Sequence, residues 1–522
     1  MSKRSVFPGK TEEDRQTIKN SVGRGVVVAV SVLLQVAWIT WLIIKLNNYY
    51  AAISLFTSLL SLLVVLHISG DKKNAAYKIS WIVLILLFPV LGLCLFLMFG
   101  QESSTWFMRQ KFRNINRHQA RFLPQDTAAA AHMDAQDAGL ANQAYYLRNS
   151  AGFPVYDDTK VTFYGDTNEA LEAQKAALRT AKHFIFMEYH AIEDSTAWRG
   201  LEEILAAKAA EGVDVRVFYD DMGSLGFISK PFAKRLQSRG IQCRVFNPLL
   251  PVLNVFMNNR DHRKITVVDG QVGFTGGYNL ADEYFNLTHP YGQWKDSGLR
   301  LEGGAVRSLT VIFLEMWNAT QETPEDPTPL LVPAARPADA AGFVLPYADT
   351  PLDDLPVGED VYLNMIKNAR KYVYITTPYL IIDDEMQREL TLAARRGVDV
   401  RIITPGIPDK KLILRVTRSF YADLADAGVR VFEYTPGFIH QKQFVADDEV
   451  AACGTINMDY RSLYLHFENG CWFCGCDAVA AVRKDFDELF PVCTEVTAQY
   501  AGRREKQVRG FNCILRLFGP LM

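Results

Sequence analysis

Two stretches of the chain, HRKITVVD at 262–269 and HQKQFVAD at 440–447, share the pattern H-x-K-x-x-x-x-D. One such match is a short motif with a real risk of coincidence. Here the surroundings repeat with it. Gly276 and Asn279 follow His262 by 14 and 17 positions, and Gly454 and Asn457 follow His440 by the same 14 and 17. Four positions held in register across two halves require a duplicated unit whose copies are built alike.

The echo extends upstream. AEGVDVRVFYDD (210–221) returns as RRGVDVRIITPG (395–406), and GIQCRVFN (240–247) returns as AGVRVFEY (427–434). In each half an alanine-rich helical pattern leads through Gly-Val-Asp into an apolar strand, and a second helix and strand follow. Alternating helices and β-branched runs predict an α/β fold with a largely buried mixed sheet flanked by helices. The proline- and alanine-rich stretch 323–342 reads as the linker between the copies.

Side chains two apart on a strand share a face, so His262 projects with Lys264 and His440 with Lys442. Asp269-Gly270 and Asp447-Asp448 read as hairpin turns. The returning strand then brings Asn279 back beside the first pair and Asn457 beside the second. Two imidazoles, two ammonium groups and two amides in one cleft suit the tetrahedral oxyanion of a phosphodiester. One neutral histidine attacks phosphorus while the other, protonated, supplies the departing alkoxide with its proton. Asp296 in GQWKDSGLRLEG and Glu468 in LYLHFENG are the acids placed to fix the histidine tautomers. This chemistry requires neither a metal nor an organic cofactor.

The first hundred residues are of another kind. GVVVAVSVLLQVAWITWLIIKL (25–46) and AAISLFTSLLSLLVVLHIS (51–69) are long enough to cross a bilayer, and WIVLILLFPVLGLCLFLMFG (81–100) is interrupted by Pro89 and Gly92. A cleaved secretory signal fits poorly, because the first run is too long and a second follows directly. Lysines and arginines crowd the 1–24 tail, the 70–80 loop and the region after 100, whereas only Lys45 borders the loop at 46–50. Positive charge on the cytoplasmic side then predicts two spans and a third segment that turns back near Pro89. The basic, aromatic stretch 106–122 reads as an interfacial helix drawn to anionic lipid.

A net charge of −2 and a pI near 6.5 argue against a nucleic-acid partner. CWFCGC at 471–476, with Cys493, invites comparison with a zinc site, but its apolar, aromatic context fits a buried strand of reduced cysteines better.

The two motif regions, HRKITVVDGQVGFTGGYN and HQKQFVADDEVAACGTINMDYRS, resemble those of the phospholipase D superfamily. The apolar front, GQWKD, the HFE segment and the terminal RLFGPLM are similar to the bacterial cardiolipin synthases within it. The resemblance implies two repeats related by a pseudo-twofold axis, an active site between them and a phosphohistidine intermediate. It implies His262, Lys264, Asn279, His440, Lys442 and Asn457 as catalytic, with His262 as nucleophile, and Asp296 and Glu468 as orienting acids. Asp269 and Asp447 belong to the signature in a structural role. Gly277 departs from the common pattern, which Thr455 keeps.

The implied reaction joins two phosphatidylglycerol molecules into cardiolipin and releases glycerol, at an anionic bilayer of the cell membrane. A hydrolase or a transferase to another alcohol is the alternative, while a nuclease and a non-enzymatic membrane scaffold fit less well. The oligomeric state stays open, a homo-oligomer included. The expected organisation is a basic tail (1–24), a membrane segment (25–100), a juxtamembrane linker (101–150), repeats at 151–322 and 343–500 flanking the 323–342 linker, and a tail (501–522).

Overall fold

Short β-branched and aromatic runs, alternating with amphipathic helices, build two mixed sheets. A computed structural model describes residues 26–27, 29–41, 45, 50–100, 106–229, 231–248, 258–321, 324–503 and 510–521. The 1–24 tail and positions 46–49 of the short loop lie outside these residues.

The first repeat contributes β1 (Thr159–Tyr164), β2 (Phe184–Tyr189), β3 (Asp214–Asp220), β4 (Gln242–Phe246), β5 (Arg260–Asp261), β6 (Lys264–Val268), β7 (Val272–Gly276), β8 (Gln293–Lys295) and β9 (Gly298–Gly303). Its sheet runs β1-β9-β7-β6-β2-β3-β4. The second repeat contributes β10 (Phe343–Asp349), β11 (Tyr372–Thr376), β12 (Leu380–Ile381), β13 (Asp399–Pro405), β14 (Arg430–Tyr434), β15 (Gly437–Ile439), β16 (Gln443–Ala446), β17 (Val450–Gly454), β18 (Met458–Asp459), β19 (His466–Cys474) and β20 (Cys493–Glu495). Its sheet runs β10-β19-β17-β16-β11-β13-β14-β20. The orders match position for position, with β20 added at the edge. In both, the helix-connected strands pair in parallel and the hairpins antiparallel.

One core serves both repeats. Phe186, Phe313 and Trp317 of the first sit in the same cluster as Tyr374, Val445 and Phe473 of the second. The helix Val306–Ala319, buried at every position but Arg307, packs on its own sheet and reaches β10. The helix Asp477–Leu489 reciprocates by reaching β1. Separating the repeats would expose this shared apolar surface to water.

Both hairpin turns hold φ positive at their two central residues, 52° and 66° at Asp269-Gly270 and 58° and 61° at Asp447-Asp448. That geometry matches strand twist in two-residue hairpins. The turn carboxylates then reach sideways. Asp269 accepts the backbone N–H groups of Lys182, His183 and Phe184 at 2.7–2.8 Å. Asp447 accepts those of Arg370, Lys371 and Tyr372 at 2.7–2.8 Å. The last letter of each motif therefore locks its hairpin to the start of the neighbouring antiparallel strand, β2 or β11.

Among the described residues no helix is long and apolar enough to cross a membrane. The run at 25–46 is described over 26–27, 29–41 and 45. On the helix Tyr50–Gly70, Leu55, Phe56, Leu59, Leu62, Leu63 and Leu66 are each more than half exposed. The third apolar run breaks at Phe88, between the helices Ala75–Leu87 and Pro89–Leu95. Trp81 and Phe96 meet edge-to-face at 5.4 Å, where a continuous helix would hold them about 22 Å apart. The chain therefore doubles back. Gly92 permits the close crossing, since a Cβ there would lie 2.6 Å from the Ile85 Cα.

Residues 106–149 fold into the helices Trp106–Ala120, Thr127–Asp134 and Ala138–Asn149. The first differs from the interfacial expectation. Its Phe112 and Ile115 are buried in the shared core, with Phe112 5.0 Å from Phe467, so that apolar face cannot enter a bilayer. Arg113, Arg117 and Arg121 remain exposed as a basic stripe. Cys471 and Cys474 lie three apart on β19, in two different core clusters. Their side chains leave opposite faces of the strand and cannot share a metal.

Candidate active site

Two pairs of very short parallel strands bring the histidines to their partners. β5 runs beside the start of β19, with Arg260 opposite His466 and Asp261 opposite Phe467. The next step in that register sets His262 opposite Glu468. β15 runs beside β8, with Ile439 opposite Lys295, so the next step sets His440 opposite Asp296. Backbone bonds hold both steps, from His262 N–H to the Phe467 carbonyl (2.8 Å) and from His440 N–H to the Lys295 carbonyl (2.7 Å).

The side chains complete the pairing. His262 Nδ1 lies 2.9 Å from both Glu468 oxygens, and His440 Nδ1 lies 2.7 Å from Asp296 Oδ2. Each acid thus serves the histidine of the other repeat. With Nδ1 turned to a carboxylate, each Nε2 carries the free lone pair.

Lys264 and Lys442 are each 1% exposed. Lys264 Nζ donates to the His262 carbonyl at 2.6 Å, and Lys442 Nζ lies 2.8 Å from His440 Nδ1 and also bonds the His440 carbonyl. Burial drives both lysines down, Lys264 to about 8 and Lys442 to about 7, although Asp296 and Glu468 act on each in the opposite sense. Burial and the adjacent lysines also lower the histidines, His440 to about 3 and His262 well below its ordinary value. Both imidazoles are therefore neutral near pH 7. Each lysine senses both carboxylates, which places the two sets in one electrostatic environment.

The asparagines take different positions. Asn279 accepts the Ala191 N–H at 3.1 Å and donates to the Tyr284 hydroxyl at 2.9 Å, and the Tyr284 ring stands edge-on to His440 at 5.2 Å. Asn457 is 4% exposed, and its buried Oδ1 has no hydrogen-bond partner among the described residues.

Several contributors went unread in the sequence. The middle residue of H-x-K points away from the cleft and anchors it to the shared helices. Arg263, fully buried, pairs with Glu315 at 2.7 Å, and Gln441 donates to Asp485 at 2.9 Å. Their differing chemistry hid the equivalence, which lay only in their shared place between His and Lys. His190 and His466 flank His262 at ring distances of 4.9 and 5.5 Å, whereas Tyr284, Trp294 and Phe438 surround His440. His262, His466 and Glu468 bring ligand atoms within 4.8 Å of one another. The two lysines make that corner cationic, which opposes a metal ion and favours an anion.

Gly277 is explained by its acid. A Cβ there would lie 2.1 Å from Asp296 Oδ1. In the second repeat Thr455 fills the equivalent place, and its hydroxyl bonds the longer Glu468.

A family described as "Cardiolipin synthase, PLD-like domain" matches residues 175–317 and 362–490, and one described as "Phospholipase_D-nuclease N-terminal" matches 59–101. An uncharacterized protein of Streptococcus mutans is 41% identical over 88% of this chain and 99% of its own length. A cardiolipin synthase of Halalkalibacterium halodurans is 34% identical over 87% of this chain and 90% of its own. Among solved structures, phosphatidylserine synthase of Haemophilus influenzae aligns with a TM-score of 0.53 at 14% identity, over 69% of this chain and 95% of its own, a likeness of fold.

Two outcomes follow from this geometry. Gly277→Ala displaces Asp296 and leaves His440 without its orienting acid, so turnover falls about 100-fold while the melting temperature changes little. Near-normal turnover would show that Asp296 is not needed where it stands. The second concerns pH. An ammonium group is lost as pH rises through its pKa, so kcat/KM declines between about pH 7 and 8, where Lys442 and then Lys264 lose their protons. The lowered histidines produce no fall near pH 6.5. A pH–rate profile that drops on the acid side at 6.5 and stays flat to pH 9 would contradict both assignments.

Proposed function

The chain belongs to the cardiolipin synthase family of phospholipase D-like proteins, and on that premise we propose that it transfers a phosphatidyl group from one phosphatidylglycerol to another, yielding cardiolipin and glycerol. The observation that carries this reading is the pair of cross-braced histidine–carboxylate dyads with two buried lysines in one cleft.

The phosphodiester brings negative charge to the two buried lysines. Lys264 and Lys442 bind its non-bridging oxygens, the Asn457 amide is assigned to the same group, and these donors stabilise the charge that builds in the transition state. The anion also raises the histidine pKa values, so His440 gains a proton as substrate binds. His262 Nε2 attacks phosphorus, the P–O bond to glycerol breaks, and His440 protonates the leaving oxygen. A second phosphatidylglycerol then gives its hydroxyl proton to His440 and attacks the phosphohistidine. The P–N bond breaks and cardiolipin departs. Glu468 and Asp296 stabilise the imidazolium character of their histidines in turn.

A lipid acceptor has to outcompete water at about 55 M, which requires a shielded intermediate and a bound alcohol. Both histidines are more than 90% buried. The exposed leucines of Tyr50–Gly70 form an apolar surface suited to bilayer lipid, and the stripe of Arg113, Arg117 and Arg121 suits an anionic leaflet. On this reading the 25–100 segment anchors the protein in the cell membrane, with the repeats on the cytoplasmic side.

In vesicles of phosphatidylglycerol the purified protein is expected to yield cardiolipin and glycerol in equal amounts, with little phosphatidic acid. His262→Ala and His440→Ala abolish this, and Lys264→Ala and Lys442→Ala each reduce it by about 100-fold or more. Phosphatidic acid as the main product would make water the acceptor and the protein a hydrolase.

A further inference from the structure

The two catalytic histidines stand in unlike surroundings. His190 and His466 flank His262, whereas the rings of Tyr284, Trp294 and Phe438 lie 5.2, 5.6 and 5.9 Å from the ring of His440. All three are buried. Tyr291 and Tyr379, partly buried, extend this aromatic wall, each 6.3 Å from Phe438.

Two hydrogen-bond donors on these residues are unused. The Trp294 indole N–H is buried and has no partner among the described residues. The other is the Tyr284 hydroxyl. The Ala191 N–H donates to Asn279 Oδ1 at 3.1 Å, and Asn279 Nδ2 donates to the Tyr284 oxygen at 2.9 Å. That oxygen thus serves as an acceptor, while its own O–H meets no acceptor among the described residues. Burial holds the phenol well above its ordinary pKa, so it remains a protonated donor. The acids nearby are already engaged, Asp296 by His440 at 2.7 Å and Asp409 by the Tyr379 hydroxyl at 2.5 Å. Tyr284 also links the two sides of the cleft. Its ring belongs to the His440 wall, and its hydroxyl is tied through Asn279 to Ala191, the residue after His190.

In the proposed reaction glycerol leaves phosphorus on the His440 side, because His440 protonates its oxygen. The acceptor hydroxyl gives its proton to the same histidine, so the leaving and entering alcohols share that side. Both are glycerol groups with an unreacting hydroxyl next to the reacting one. Aromatic walls with a few placed polar groups suit such a small polyol. We propose that the aromatic wall around His440 is the glycerol subsite and that Tyr284 determines its specificity, donating its O–H to the hydroxyl adjacent to the reacting one. The inference rests on the cardiolipin synthase reading, with His262 as nucleophile, and adds to it how the alcohol is chosen. An alcohol without that neighbouring hydroxyl leaves a buried O–H unpaired, and a site built to bond a hydroxyl discriminates strongly on this point. Asn279 then orients the Tyr284 hydroxyl, whereas Asn457 serves the phosphate.

The test makes two alcohols compete for one intermediate. The full chain in cardiolipin vesicles receives labelled glycerol and labelled 1-propanol at equal concentration, and the incorporation of each into lipid is measured. Cardiolipin loses phosphatidylglycerol to form the phosphohistidine, the alcohol oxygen attacks phosphorus, and the P–N bond breaks. Both products arise from that intermediate, so their ratio does not depend on how fast it forms or how much protein is folded. The wild-type chain favours glycerol, and Tyr284→Phe lowers the ratio about tenfold, as expected for one lost hydrogen bond to a buried group. 1,2-Propanediol keeps the advantage over 1-propanol and 1,3-propanediol does not. In phosphatidylglycerol vesicles with added 1-propanol, the ratio of cardiolipin to phosphatidylpropanol falls in the same variant, which extends the result to the lipid acceptor. A wild-type ratio near one, an equal loss of both products in Tyr284→Phe, or the reverse order of the two diols overturns the proposal. A wild-type chain that transfers to no alcohol and makes no cardiolipin overturns the functional reading itself.

Discussion

The site depends on a register between strands from different repeats. β5 against β19, and β15 against β8, are parallel pairings of two or three residues, and each delivers a histidine opposite an acid one step beyond its end. His262 faces Glu468 and His440 faces Asp296. Neither repeat alone contains a complete dyad. The shared core of Phe313, Trp317, Tyr374 and Phe473 serves catalysis because it holds that register in place. Arg263 with Glu315 and Gln441 with Asp485 tie the backbone between histidine and lysine to the two helices of that core.

Electrostatics follows from the same geometry. Two buried lysines beside two buried histidines would be costly unless paired. The two acids offset part of that cost, yet the lysines remain depressed, to about 8 and about 7. Burial is the main cause, and in the proposed reaction the negative charge of a phosphodiester offsets it. Substrate binding relieves this strain, and in doing so it recharges the groups that the reaction needs. Divergence between the repeats keeps each dyad intact by a different route. Asp296 with Gly277 pairs a short acid with an absent Cβ, and Glu468 with Thr455 pairs a longer acid with a hydroxyl.

Much of this was legible in the chain. The equal 14- and 17-residue spacings specified a duplicated sheet, and Asp269 and Asp447 marked hairpin turns because positive φ at two successive positions suits Asp and Gly. Asp296 and Glu468 were identifiable as acids leading into apolar strands, but not which histidine each would meet. Sequence order pairs them within a repeat, and only the tertiary register exchanges them. Arg263 and Gln441 were invisible as a pair because a motif read by residue type ignores a position where the types differ. In 106–122 the basic residues dominated the reading, whereas burial of Phe112 and Ile115 decides where the helix packs. Pro89 and Gly92 pointed to a turn, and the chain reverses at Phe88, one residue before the proline.

The exchange of acids between repeats is tested most directly by rapid-quench trapping of the phosphorylated enzyme in the wild-type chain and in Glu468→Gln. Labelled phosphatidylglycerol should place phosphate on the peptide containing His262, and Glu468→Gln should slow that burst even though Glu468 lies in the other repeat. A burst on His262 that is indifferent to Glu468, or phosphate found on the His440 peptide instead, would contradict the account.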